Sequence, residues 1–139
     1  MPAMSDEDRD AFLMERRVGV LAIGRAGKGP LLAPIWYQYT PGGTIDICMG
    51  GSTAKAARLR AEGEASVCVQ DEARPYRYVT VEGHATVESL GDTARERVTS
   101  MAKRYLGEQA GQHYGDAFST PDEVIVRITP RHWHTEVLG

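Results

Sequence analysis

A chain of 139 residues with 42% apolar and 25% charged residues is expected to fold as a single globular domain, 1–139, with a sizeable core. The formal charge of −3 argues against a nucleic-acid binder, which shows a basic excess on one face. No apolar run approaches the roughly 20 residues of a membrane span. The acidic start, Met1 to Asp8, lacks the charged-then-apolar plan of a signal peptide, so a cytoplasmic location is expected.

Ser5 to Arg17 is predicted as a short amphipathic helix with Phe12 and Leu13 on its apolar side. Val18 to Ile23 follows as a buried strand, and the glycine-rich Gly24 to Pro30 as a turn. Leu31 to Tyr39 reads as one strand interrupted at Pro34, which implies an edge or a bulge there. Pro41-Gly42-Gly43 turns the chain into Thr44 to Met49, where Ile45, Ile47 and Met49 alternate inward, a hairpin signature. A helix capped by Ser52 runs to Glu62 and stops at Gly63.

Ala65 to Gln70 is the next strand. Tyr76 to Glu88 is the clearest of all, with Val79, Val81, Ala85 and Val87 alternating with polar residues. Thr93-x-x-Glu96 matches a capping box and opens a helix with Ala94, Val98, Met101, Ala102 and Tyr105 at helical spacing. Gly107 to Thr120 reads as a loop or broken helix, and Glu123 to Thr129 with Trp133 to Val137 as the last strand or strands. Strands and helices do not alternate regularly, which disfavours parallel βαβ units. The order suits a mostly antiparallel sheet closed into a small barrel with helices outside, an arrangement that removes exposed sheet edges.

Cys48 and Cys68 lie in apolar runs without a CxxC partner, so buried, reduced thiols are expected and no metal site is assigned. His132 and His134 share one strand face, a two-residue match too weak to assign a metal.

The segment Gly50-Gly51-Ser52-Thr53-Ala54-Lys55-Ala56-Ala57-Arg58 carries the strongest chemical signal. Lys55 falls in a first helical turn, where the dipole is already positive, and Arg58 follows on the same face. Free amides, a glycine approach and two cations fit an anion, above all a phosphate. The alternative is a surface helix whose Lys and Arg point into water.

Several segments together resemble the split-barrel flavin- and deazaflavin-binding superfamily, which includes pyridoxamine phosphate oxidase and the smaller F-420-dependent oxidoreductases. They are Val18 to Ile23, Pro34-Ile35-Trp36-Tyr37, Gly51-Ser52-Thr53-x-Lys55, Pro75-Tyr76-Arg77-Tyr78-Val79-x-Val81-x-Gly83 and Val126 to Pro130. The resemblance implies a mainly β antiparallel split barrel with flanking helices, the FMN-binding split barrel, assembled as a homodimer with a cofactor between two barrels. Lys55 and the hydroxyls of Ser52 and Thr53, after Gly51 and with Arg58 nearby, would hold the cofactor phosphate. Pro34, Ile35, Trp36 and Tyr37 would run beside the ring. Arg77 and Tyr78 would lie near the site, facing the partner protomer's cofactor or substrate. Two bland alternatives stand beside this: Trp36 or Tyr37 belongs to the core or the interface, and Arg77 pairs with Glu72 or Glu82.

Three functions follow from the resemblance. The first is an oxidoreductase using coenzyme F-420 for hydride transfer to or from a small organic substrate, favoured by the compact length. The second is an FMN enzyme of the pyridoxamine phosphate oxidase type, weakened because Lys55 and Arg58 form the only clear basic pair in the segment. The third is a non-catalytic carrier of flavin, deazaflavin or haem. No Ser/His/Asp or Cys/His constellation is present, as expected where a cofactor supplies the reactive atom. Tyr37 and Tyr78 are candidate proton donors. The Arg131 to His134 cluster could border an acidic cofactor tail or simply snorkel at the end of its strand.

Overall fold

The computed structural model describes residues 2–138. The first helix, α1 (Asp6–Met14), opens on Ser5, whose Oγ accepts from the Asp8 amide at 3.1 Å, with three acidic residues in its first turn. It is shorter than the expected Ser5 to Arg17. Backbone at Glu15 turns extended, and the Arg17 guanidinium donates to the Phe12 carbonyl at 2.6 Å, taking up an acceptor at the helix end. Phe12 and Leu13 are buried as their spacing requires.

Seven strands follow: β1 (Gly19–Ile23), β2 (Leu31–Ile35), β3 (Gln38–Tyr39), β4 (Ile45–Gly50), β5 (Glu64–Asp71), β6 (Tyr76–Ser89) and β7 (Glu123–Leu138). They form one antiparallel sheet in the order β2-β1-β5-β6-β7-β4-β3. The fold is a mainly β, antiparallel split barrel with flanking helices. Leu21, Ile23, Ile45, Ile47, Val67, Val69, Val79, Val81, Val126 and Ile128 fill its interior, each at most 1% exposed. Every such burial stabilises the fold by about 1.5–3 kcal/mol.

The predicted single strand Leu31 to Tyr39 is in fact two. Its halves lie at opposite edges of the sheet, β2 on β1 and β3 on β4, and Trp36-Tyr37 crosses the split between them. The interruption is not at Pro34, which pairs with Val20 inside β2. There its missing N–H costs no ladder bond, because β2 is an edge strand. The two expected C-terminal segments are one strand, β7, with a bulge at Arg131 opposite the Glu82–Gly83 step. Gly83 is required at that bulge: a Cβ there would collide with the Thr129 carbonyl.

The helix α2 (Ala54–Glu62) is capped by Thr53 rather than by Ser52, Thr53 Oγ1 accepting from the Ala56 amide at 3.2 Å. Gly63, at φ +68°, closes it. The capping box at Thr93 does not form. A 3₁₀ turn, Gly91–Thr93, precedes α3 (Ala94–Leu106), so the Thr93 backbone is already helical and its hydroxyl donates to the Leu90 carbonyl at 2.7 Å. The stretch expected as a loop or broken helix forms α4 (Glu108–Phe118). Gly111 and Gly115 let α4 lie directly on α3, where a Cβ at either position would collide with Lys103 or Thr99. Packing, not propensity, holds this helix.

Candidate functional site

Where the barrel splits, α3 seals the seam with polar side chains. The Tyr105 hydroxyl accepts from the Tyr37 amide at 3.0 Å and donates to the Arg17 carbonyl at 2.7 Å. Arg104 Nε donates to the Tyr37 carbonyl at 3.0 Å. Tyr37 itself points into the core, fully buried, with its hydroxyl donating to the Leu13 carbonyl at 2.9 Å. Burial, with Tyr105 adding, pushes its phenol up to about 12. Tyr37 therefore neither lines an open surface nor suits proton donation, and its backbone groups are already bonded. Its neighbour Trp36 faces the other way and stacks on Tyr105, ring centroids 5.0 Å apart at 7°.

A cleft of about 470 Å³ opens on that outer side of the seam. It is lined by Pro34, Ile35 and Trp36 at the seam, by Val98 and Met101 of α3 with Tyr114 of α4, and by Cys48, Met49 and Gly50 of β4. Thr53, Lys55 and Glu123 stand among these lining residues as its polar groups. Lys55, in the first turn of α2, makes no ion pair among the described residues. Trp36 and Tyr114 are tilted at 51° with centroids 5.4 Å apart, and Phe118 continues the aromatic run 5.0 Å beyond Tyr114.

The other positions singled out from sequence are held elsewhere. The Ser52 amide and hydroxyl both bond the Asp122 carboxylate, at 3.0 and 3.1 Å. Gly51 is stapled to the same residue, its amide donating to the Asp122 carbonyl at 2.9 Å, and a Cβ there would stand 2.7 Å from that oxygen. The Gly50-Gly51 approach is thus fixed rather than flexible. Arg58 pairs with Glu62 and donates to the Gly24 carbonyl at 3.0 Å, so it is turned away from the helix start. Arg77 pairs with Asp71 at 2.9 Å, not with Glu72 or Glu82, and holds that carboxyl below its usual range. With Tyr78 it borders a separate depression beside Asp71 and Leu138. Arg131 and His132 border a third, acidic one with Glu62, Glu64 and Glu82. Neither depression shares a lining residue with the cleft.

Asp122 and Glu123, beside and within the cleft, had no sequence signal, and Cys48 was expected only as a buried, reduced thiol. Asp122 reaches Ser52 across 70 positions, a purely tertiary contact. Glu123 is held toward its protonated form by burial and by Asp122. Burial pushes the Cys48 thiol up to about 11, so it is an inert lining group rather than a nucleophile. No cluster of three or more His, Cys, Asp or Glu suited to a metal occurs among the described residues. No helix there is long and apolar enough to cross a membrane.

A cleft lined by Ile35, Trp36, Val98 and Met101, with a lysine at a helix start, fits a fused-ring cofactor with an anionic tail. Residues 5–136 match the family model described as pyridoxamine 5'-phosphate oxidase. The chain belongs to that family. Over 100 residues it is 30% identical to a biliverdin reductase of Mycobacterium tuberculosis (strain CDC 1551 / Oshkosh) that depends on reduced coenzyme F-420; the match spans 71% of this chain and 71% of the relative. A conserved hypothetical protein of Mycobacterium tuberculosis has the same fold, with TM-score 0.77 and 27% identity over 95% of this chain and 84% of that one. A structure described as an F-420 reductase superposes with TM-score 0.72 and 20% identity over 90% of this chain and 94% of its own, which shows the shared fold. The family is one of split-barrel oxidoreductases, and the chain is an oxidoreductase of this superfamily.

Proposed function

We propose that the chain uses the deazaflavin coenzyme F-420 for hydride transfer to or from a small organic substrate, and that two copies assemble so that each cofactor lies between two barrels. The observation that carries this reading is the cleft at the seam, whose walls are apolar and whose unpaired cation is Lys55. Identity of 30% to an F-420-dependent reductase supports deazaflavin over flavin. When bound, the coenzyme supplies the carbon that gives or takes hydride.

This chain's own residues position and shield it. Lys55 would bind the phosphate of the coenzyme, with the amides of the first α2 turn adding their dipole. Ile35, Trp36, Val98 and Met101 would flank the ring and keep water from it, since all four line the cleft. Tyr105, through its bonds to the Tyr37 amide and the Arg17 carbonyl and its stacking on Trp36, positions Trp36 without itself lining the cleft. Arg77 and Tyr78 would reach the cofactor only across a second copy, because within one chain they border a different depression. Glu123 is the one carboxyl lining the cleft among the described residues.

The FMN reading rests on the family description and needs the same cleft. A paired fluorescence titration of the purified chain with F-420 and with FMN separates the two. Micromolar or tighter binding of F-420 alone is expected; preference for FMN would move the chain to the oxidase-like branch. Sedimentation at micromolar concentration should give a dimer, and a monomer that still binds cofactor would remove the shared groove.

A further inference from the structure

The sequence places two cations and a run of free amides at the start of α2, but the structure spends most of them internally. Arg58 is committed to Glu62 and the Gly24 carbonyl. Arg60 donates to the Gly51 carbonyl at 2.7 Å, bracing the loop from behind. The Ser52 amide and hydroxyl are held by the Asp122 carboxylate, which takes the place an incoming anion would otherwise compete for. Thr53 Oγ1 is used twice within the loop, accepting from the Ala56 amide and donating to the Gly50 carbonyl at 2.8 Å. Among the described residues Lys55 and Glu123 are the charged groups that line the cleft, while Asp122, next in sequence to Glu123, and Arg60, which has no ion-pair partner, flank the start of α2.

We infer that Asp122, seconded by Glu123, determines cofactor choice by charge: the site accepts a singly charged phosphodiester and rejects a doubly charged terminal phosphomonoester. Resting on the proposed function, this deepens it by naming residues that separate the two cofactor classes. The phosphate of F-420 is a diester with one negative charge. The phosphate of FMN is a monoester, close to two negative charges at neutral pH because its second pKa is about 6. One lysine can balance the first. The second charge meets Asp122 and Glu123 at close range, while the remaining nearby cation, Arg60, is held on the Gly51 carbonyl and does not line the cleft. The Asp122 carboxylate also withholds the Ser52 donors, which a monoester with three terminal oxygens would need more than a diester does.

The test rests on riboflavin and FMN, which share a ring and differ by the terminal phosphate, with F-420 as the diester reference. Wild type, Asp122→Asn and Glu123→Gln are titrated with riboflavin, FMN and F-420 at one ionic strength, with circular dichroism to verify the fold of each. In the wild type the phosphate of FMN should add nothing, so that FMN binds no tighter than riboflavin. Asp122→Asn should gain about tenfold in FMN affinity with riboflavin unchanged, the scale of one relieved charge contact, and Glu123→Gln should gain less in the same direction. A wild type that binds FMN far tighter than riboflavin, or an FMN-to-riboflavin ratio unmoved by both variants, would overturn the inference.

A second measurement needs no ring. Methyl phosphate at pH 8, a dianion, should shift the Ser52 and Lys55 amide resonances of Asp122→Asn and leave those of the wild type in place, whereas dimethyl phosphate should perturb both similarly. Failure of all three ring compounds to bind would end the cofactor reading, and the methyl phosphate result would still decide the charge filter. Equal shifts in wild type and variant would count against it.

Discussion

The β5–β6–β7 wall and the seam at Trp36-Tyr37 are both parts of one barrel, yet they are held by different forces. The wall is a continuous backbone ladder, β6 pairing with β5 from Arg77 to His84 and with β7 along nearly its whole length. Its inward residues, Val67, Val79, Val81, Val126 and Ile128, are fully buried. No ladder crosses the seam. There α3 supplies the missing bonds through the Tyr105 hydroxyl and the Arg104 guanidinium, and the cleft opens beside them. A stretch of barrel without its own ladder can be shaped by side chains, so the ligand-sized opening sits where the sheet is least self-sufficient.

That contrast can be broken by substitution. Ile128→Ala, in the wall, removes a fully buried side chain and should cost about 2–5 kcal/mol of unfolding free energy by chemical denaturation. Tyr105→Phe, at the seam, leaves the Tyr37 amide and the Arg17 carbonyl without their partner and should cost about 1–3 kcal/mol. The second change should also weaken ring binding, because the Trp36 face it stacks is a cleft wall. Equal loss of ligand affinity in both variants would erase the distinction between wall and seam.

The smallest effect concerns Glu123, whose carboxyl is shifted up by burial and then by Asp122. A raised carboxyl binds its proton more tightly in the folded state, so its contribution falls as pH rises from the ordinary glutamate value through the folded one. Glu123→Gln should therefore match the wild type at pH below that window and be slightly more stable above it. Thermal unfolding across pH 3.5 to 8 reads the crossover, and a variant less stable than the wild type at neutral pH would contradict the assignment.

The wall was legible in the sequence and the seam was not, for physical reasons. Val79, Val81, Ala85 and Val87 alternate against polar residues, and a period of two has one reading. Leu31 to Tyr39 continues the same kind of pattern straight through the split, because both halves are strands; only their partners differ. The α4 helix was hidden by Gly111 and Gly115, poor helix formers whose value lies in letting α4 approach Thr99 and Lys103. At the anion end, Lys55 was placed correctly in the first turn of α2, but the pull of Asp122 on Ser52 shifted the cap to Thr53. The pairing of Arg58 with Glu62 was an available i, i+4 reading. The Asp122 contact was not, since nothing local joins positions 70 apart.

The measurement closest to the central claim is the F-420 affinity of Lys55→Ala against that of the wild type at matched ionic strength. Loss of the one unpaired cation at the cleft should weaken binding by about 1.5–3 kcal/mol while leaving the unfolding midpoint in place, since Lys55 makes no ion pair among the described residues. Unchanged affinity would mean that the cofactor phosphate does not dock at the start of α2.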